Sequence, residues 1–311
     1  MPRAVWFRAP KMVELREEAL PPLGKGDIRV RAIASGISAG TEMLVYRGQV
    51  PPDLPLDLPT LEGSFGFPIK YGYASVGRTD DGGLVFVHHP HQSEYVVPAS
   101  SAIGLPRDLG ERGVFLANIE TAINVMLDAA PRIGETVLIF GQGVVGLLLT
   151  QLAVRVGAKV LTAEPHALRQ RLSTMLGATV VSPDEVHDAD VVIEASGNPA
   201  ALDQAVRCVV FGGTVVACSW YGAKPVNLDL GGAFHRGRIR IVSSQVSTID
   251  PALTGRWSRE RRLALARDLL GELQLEPLIT HRFPLEAAQQ AYDLIDRRPE
   301  ETGQVLFTYG E

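Results

Sequence analysis

Three glycines, Gly141, Gly143 and Gly146, follow the apolar run VLIF at residues 137–140 with G-x-G-x-x-G spacing. That pattern is suited to holding a diphosphate. Gly141 permits a tight turn out of a strand, Gly143 has no side chain to keep a pyrophosphate off the backbone, and Gly146 lets a helix pack close to the strand. Val144 and Val145 then open a helix whose first N–H groups face the phosphates. Glu164 ends a second apolar run, residues 160–163, roughly twenty residues past the glycines. An acidic side chain there accepts hydrogen bonds from a ribose diol. A glycine-rich turn is common in itself, so a structural turn or another α/β ligand site is the alternative.

Glu164 favours NAD, because a carboxylate repels the 2′-phosphate of NADP. His166, Arg169 and Arg171 leave NADP as the alternative, since an arginine after this strand pairs with that phosphate. Residues 88–91 (HHPH) offer three histidines. They precede a segment with strand alternation, which sends neighbouring side chains to opposite faces. The readings are a structural turn, a histidine facing a cleft, or a metal site. The two cysteines, Cys208 and Cys218, provide no disulfide framework and no four-cysteine zinc site, and they read as small core residues. The runs around Arg256–Arg262 and His235–Arg238 are locally basic. They read as solvated faces, or as surfaces drawing an anionic group.

These groups need elements to position them. With 311 residues and 46% apolar content, the chain suits two domains with substantial cores. A net charge of −5 argues against a nucleic-acid surface. The start of the chain lacks an apolar signal core and no long uncharged span follows, so a soluble, cytoplasmic protein without a membrane partner is expected. Residues 1–117 alternate as half-buried antiparallel strands, with a proline-rich loop over 49–68. From 118 to 245 strands and helices alternate, which predicts a parallel, doubly wound sheet. One helix is expected over 200–210, stopped by Gly212 and Gly213. From 246 to 311 two helices and a closing strand follow, with Ser258 as a helix cap.

Taken together, residues 35–42 (SGISAGTE), 71–74 (YGYA), 134–146 (GETVLIFGQGVVG), 190–197 (DVVIEASG) and 279–284 (ITHRFP) resemble the medium-chain dehydrogenase/reductase superfamily over essentially the whole chain. Residues 35–42 are most similar to its bacteriochlorophyllide dehydrogenase branch. The resemblance implies an α/β fold: a Rossmann doubly wound parallel sheet at 118–245, and a GroES-like β-barrel catalytic domain from 1–117 completed by 246–311. It further implies a site in the cleft between them, a small-molecule substrate, and a homodimer. By the same resemblance Thr121, Ser196, Gly197, Trp220, Tyr221 and Ser244 line the nicotinamide side.

The departures from the family pattern bear on chemistry. Zinc-dependent members carry a cysteine and a histidine where this chain has Ser38 and Tyr73, with Ala74 in place of a glutamate. Glu120 retains a carboxylate in the third ligand region, but one carboxylate does not hold zinc. Serine is a poor zinc ligand and tyrosine ionises near pH 10. No zinc is therefore expected, and hydroxyl donors must polarise the substrate oxygen instead. Ser38, Thr41 and Tyr73 are the candidates, with Thr41 matching a proton-relaying hydroxyl and Tyr73 a phenolic donor. Glu42 and Glu120 would orient them. Against this, Ser38 and Thr41 also suit a turn, and Tyr73 also fills space left by a metal. The expected activity is hydride transfer between a nicotinamide and an alcohol or carbonyl. Quinone or enoyl reduction and nucleotide binding without catalysis are the alternatives, and the spacing of Glu164 disfavours a methyltransferase.

Overall fold

The computed structural model describes residues 1–56, 60–61 and 63–310. The chain opens with β1 (Arg3–Ala9), β2 (Met12–Glu17), β3 (Asp27–Ile37), α1 (Thr41–Tyr46), β4 (Ser75–Thr79), β5 (Leu84–Val87), β6 (Glu94–Pro98) and β7 (Ala102–Leu105). There follow α2 (Leu116–Ala129), β8 (Thr136–Phe140), α3 (Val144–Arg155), β9 (Lys159–Ala163), α4 (Ala167–Met175), β10 (Thr179–Val180), β11 (Ala189–Glu194), α5 (Pro199–Cys208) and β12 (Val209–Ala217). The single turn α6 (His235–Gly237), β13 (Arg240–Ser243), α7 (Arg259–Glu272), β14 (Ile279–Pro284), α8 (Ala288–Arg297) and β15 (Gln304–Thr308) complete it. No helix among the described residues is long and apolar enough to cross a membrane.

Two compact units result, Met1–Ala117 with Leu275–Glu311, and Asn118–Gln274. The second unit runs past the expected boundary at 245. Residues 246–274, expected with the C-terminal return, fold with the parallel sheet because their helix is tied to it. The Gln274 N–H donates to Gln151 Oε1 of α3 at 2.8 Å, and Glu272 pairs with Arg155.

In the first unit a seven-stranded sheet runs β14-β15-β3-β4-β5-β7, with β6 also pairing β3, beside the hairpin β1-β2. β3 is the axis: it pairs antiparallel with β15, β4 and β6 along its length. The main core gathers Phe7, Met43, Tyr46, Tyr292 and Phe307, all fully buried. Tyr46 stacks on Tyr292 at 5.2 Å between ring centroids, which seats α1 against α8. Within the loop over 49–68, Asp57, Leu58, Pro59 and Glu62 lie outside the described residues; the described part carries one isolated bridge, Pro55 to Ser64.

In the second unit the order is β10-β9-β8-β11-β12-β13, every pairing parallel. Numbered within the unit this is 3-2-1-4-5-6, the order of a Rossmann sheet, whose direction reverses between β8 and β11. Residues 137–140 are buried on both faces, as a sheet covered by helices requires. One element differs from expectation: α5 ends at Cys208 and β12 begins at Val209, so Gly212 and Gly213 lie inside a strand. They coincide with the register shift between β11 and β12, and a Cβ on Gly213 would stand 2.5 Å from Val209 Cγ2. Here Gly213 allows a close approach within the sheet, Gly212 takes a φ of +73°, and neither stops the helix.

Candidate functional site

The second unit presents the glycine cradle at its switch point. Gly141 leaves β8 at φ +86°, and a Cβ there would stand 2.7 Å from Ser196 Cα. A Cβ on Gly146 would overlap the Gly141 carbonyl oxygen. Gly143, which begins α3, would have nothing within 4 Å of a Cβ. Two glycines are thus required by the protein's own packing, while the third faces open space. That is the fit a pyrophosphate needs, with the N–H groups of Val144, Val145 and Gly146 beginning the helix. Gln142 stiffens the turn from within: fully buried, it accepts from Thr150 Oγ1 at 2.9 Å and donates to the Gly141 carbonyl.

Glu164 stands at the end of β9 and is buried. One oxygen accepts the Gln142 N–H at 2.7 Å and the other the His166 N–H at 3.0 Å. The carboxylate therefore bridges the glycine turn and the start of α4, and its remaining lone pairs suit a diol. Arg169 lies in α4. Ser196 and Gly197 follow β11, and both are organised by Glu194, a fully buried residue. Its Oε1 accepts from Ser196 N, Ser196 Oγ and Gly197 N at 2.6–2.9 Å. Its Oε2 accepts the Tyr221 hydroxyl at 2.6 Å. Burial, then this carboxylate, raises the Tyr221 pKa, so the phenol stays protonated. Lys224 Nζ donates to the Gly197 carbonyl at 2.5 Å.

On α2, Glu120 meets a partner that sequence reasoning did not supply. Arg262 of α7, 4% exposed, approaches Glu120 Oε1 at 3.3 Å and donates to Asn124 Oδ1 at 2.6 Å. Asn124 in turn donates toward Ser244 Oγ and the Gln245 carbonyl, each at 3.3 Å. Arg262 belongs to the run expected as a solvated face or an anion-drawing surface; it is a buried cation that neutralises Glu120. Helical spacing from Ser258 places it on the same side as Ala266 and Leu269, which is the signal that marks it as inward.

In the first unit Ser38, Thr41 and Tyr73 come together. The Ser38 and Thr41 side chains stand beside the Tyr73 phenol, and each favours its ionised form. Burial first, then the charge of Glu42, pushes the phenol up to about 12, so at neutral pH it holds its proton. Ser38 Oγ also accepts the Thr41 N–H at 3.2 Å, so the turn role exists beside the hydroxyl cluster. Glu42, fully buried, accepts the Ser38 N–H at 2.9 Å.

The three histidines separate. His88 Nδ1 lies 3.2 Å from the Tyr73 carbonyl. His89 is buried flat on Tyr95, ring centroids 3.7 Å apart, and burial lowers its pKa to about 3. His91 is fully buried, its Nε2 2.8 Å from Glu42 Oε2. Among the described residues no group of three or more His, Cys, Asp and Glu side chains converges as a metal requires. Ser38 and Tyr73, a neutral hydroxyl and a phenol kept protonated, do not fit a zinc ion. Cys208 is buried and Cys218 half-buried, and burial raises both thiols.

A parallel sheet with this strand order, a glycine cradle and a largely antiparallel companion unit define a two-unit α/β protein with a Rossmann-type sheet. The family model described as zinc-binding dehydrogenase matches residues 144–259. The 2-desacetyl-2-hydroxyethyl bacteriochlorophyllide A dehydrogenase of Rhodobacter capsulatus is 29% identical over 317 residues, covering 96% of this chain and 95% of that protein. The L-threonine 3-dehydrogenase of Pyrococcus horikoshii is 32% identical over 233 residues, 69% of this chain and 63% of that protein. Among solved structures, one described as a short chain alcohol dehydrogenase of Escherichia coli CFT073 with NADH superposes with TM-score 0.79 at 19% identity, covering 99% of each chain. One described as a zinc-binding dehydrogenase of Sinorhizobium meliloti 1021 bound to NADP gives 0.78 at 21% identity, again over 99% of each chain. At these identities the structural likeness speaks for the fold. The chain belongs to the medium-chain dehydrogenase/reductase, alcohol dehydrogenase-like superfamily.

Proposed function

We propose that this chain is a zinc-independent, NAD(P)-dependent oxidoreductase that moves hydride between a nicotinamide and an alcohol or carbonyl. The observation that carries it is the gathering of Ser38, Tyr73 and Thr41 hydroxyls: by the family resemblance, Ser38 and Tyr73 stand where zinc-dependent members carry a cysteine and a histidine, and Thr41 where they carry a proton-relaying hydroxyl. The nicotinamide supplies or accepts the hydride. Gly143 and the N–H groups opening α3 would hold its diphosphate, and Glu164 its adenosine ribose. Ser196, Gly197, Tyr221 and Ser244 are proposed on its nicotinamide side, and Arg169 near its adenosine phosphate. Tyr73, kept protonated by burial and by Glu42, would donate a hydrogen bond to the substrate oxygen as negative charge develops there. Glu120 is assigned a supporting role through Arg262.

Glu164 favours NAD over NADP in this reading. Titration of both reduced cofactors by fluorescence tests it, and tighter binding of NADPH reverses the preference. A turnover panel then compares alcohols and simple carbonyls with quinones and enones. The panel includes hydroxyethyl-substituted planar rings, since a relative of nearly full coverage is named for such a substrate. Turnover confined to quinones or enones would replace the alcohol/carbonyl reading, and cofactor binding without any turnover would leave a nucleotide-binding protein. Tyr73→Phe should lower kcat by about a hundredfold with cofactor affinity unchanged; unchanged turnover removes the tyrosine from the chemistry.

A further inference from the structure

The first unit contains a buried chain of polar groups of which this mechanism uses Glu42 alone. It draws on five separate segments: Ser35 from β3, Glu42 from α1, His91 from the segment before β6, Tyr292 from α8 and Tyr309 after β15. Ser35 Oγ lies 2.7 Å from Tyr309 Oη and 2.7 Å from His91 Nδ1. His91 Nε2 lies 2.8 Å from Glu42 Oε2, with both side chains fully buried. Tyr292 Oη donates to the same oxygen at 2.9 Å. Every group is satisfied when Tyr309 donates to Ser35, Ser35 to His91 Nδ1, and His91 Nε2–H to Glu42. All donors then point at one carboxylate.

Hydroxyl, imidazole and carboxylate in a row are also the parts of a nucleophilic relay. Here Ser35 is fully buried and its oxygen is held from both sides, so it offers no nucleophile. The free end of the chain is elsewhere. Glu42 Oε1, the oxygen that neither His91 nor Tyr292 touches, accepts the Ser38 N–H. It does so at the turn whose hydroxyls stand beside Tyr73. Gly72, immediately before Tyr73, keeps a φ of +136°, and a Cβ there would press on the His91 ring at 3.0 Å. His91 thus reaches the cluster from two directions: through Glu42 to Ser38, and by contact with the backbone that carries Tyr73.

We propose that Glu42 and His91 are positioning residues for the Ser38–Thr41–Tyr73 cluster, the imidazole locking the carboxylate and the carboxylate clamping the turn. This rests on the reading that the cluster acts on the substrate oxygen. A buried carboxylate is costly unless it is fully hydrogen-bonded, and donors from three segments fix where it sits. Loosening any one of them lets the Ser38 turn shift, and a proton donor displaced by less than an ångström loses much of its effect.

The test uses the full-length protein labelled at tyrosine Cζ, with the Tyr73 resonance assigned by Tyr73→Phe. His91→Gln and Tyr292→Phe should both move the Tyr73 resonance, without substrate or cofactor present. In the turnover assay they should lower kcat about tenfold or more, with KM and NADH affinity little changed. If His91→Gln fails to fold, Tyr292→Phe, which deletes a single hydroxyl, gives the same reading. A folded variant with an unmoved Tyr73 resonance, or with unchanged kcat, overturns the proposal. Absence of turnover on every substrate class sinks the hydride-transfer reading instead, and the resonance experiment still decides whether the couple positions Tyr73.

Discussion

His89 makes the first unit acid-sensitive by an amount that can be worked out. The ring is 7% exposed, stacked on Tyr95 at an interplanar angle of 9°, and its Nδ1 bonds the Pro90 carbonyl at 2.9 Å. Burial, assisted by the charge of Lys70, lowers its pKa to about 3 from 6.5. The folded pKa lies below the unfolded one, so the unfolded chain binds the extra proton as pH falls. The stability is therefore fully present above about pH 6.5 and is lost progressively toward pH 3. Linkage gives a slope approaching 1.4 kcal/mol per pH unit, or about 2 kcal/mol lost between pH 7 and pH 5. His89→Phe keeps a ring against Tyr95 and cannot titrate. Urea unfolding followed by Trp6 fluorescence, with Trp220 and Trp257 replaced by phenylalanine, measures the stability of this unit in both proteins. The other histidines and the carboxylates contribute equally to each and cancel in the difference. Wild type should lose about 2 kcal/mol more than His89→Phe over that interval. Equal pH slopes would mean that His89 takes up a proton in the folded state, and the buried, neutral assignment would fall.

The glycine cradle makes a paired prediction. Gly146→Ala should destabilise the second unit, because its Cβ meets the Gly141 carbonyl oxygen, whereas Gly143→Ala, whose Cβ meets nothing within 4 Å, should fold normally and bind NADH about tenfold or more weakly; calorimetry and fluorescence titration separate the two effects. Arg262→Met leaves the Glu120 carboxylate without its cation and should cost about 3–5 kcal/mol, most of which the double variant Arg262→Met with Glu120→Leu should restore in thermal unfolding.

Much of the second unit was legible from periodicity and spacing. The strand at 137–140, the glycines and Glu164 fall where a buried strand, a turn and an acidic strand end predict them, because each depends on neighbours close in sequence. Gly212 and Gly213 misled for the complementary reason: a register shift between two strands is a non-local event, and a glycine pair within a strand resembles a helix stop locally. Arg262 lay in a run of like charges, where only its helical spacing to Ala266 and Leu269 sets apart the arginine that turns inward. Glu194 left a signal in retrospect, a carboxylate directly after the buried apolar run at residues 191–193. The Ser35–His91–Glu42 chain had no such trace, since its members are brought together by strand pairing and by the return of α8 and β15.

Glu42, Glu164 and Glu194 share one device. Each carboxylate is buried, at 0%, 7% and 0% exposure respectively, and each accepts backbone N–H groups of a loop that carries proposed site residues. Glu42 takes the Ser38 N–H, Glu164 those of Gln142 and His166, and Glu194 those of Ser196 and Gly197. Three loops that would otherwise sample many conformations are thereby held without large side chains filling the space a ligand needs. A carboxylate suits this role better than an amide: both oxygens accept, and charge-assisted bonds to N–H groups are the stronger kind. Substitution by glutamine leaves one accepting oxygen and puts two donors against an N–H. The effect should therefore be confined to the loop each residue serves: the Ser38 turn for Glu42, the glycine turn for Glu164, and the Ser196–Gly197 corner for Glu194. Amide hydrogen exchange resolved by segment reads this directly. Exchange that rises across a whole unit in all three variants would show that these groups hold the fold, not the site.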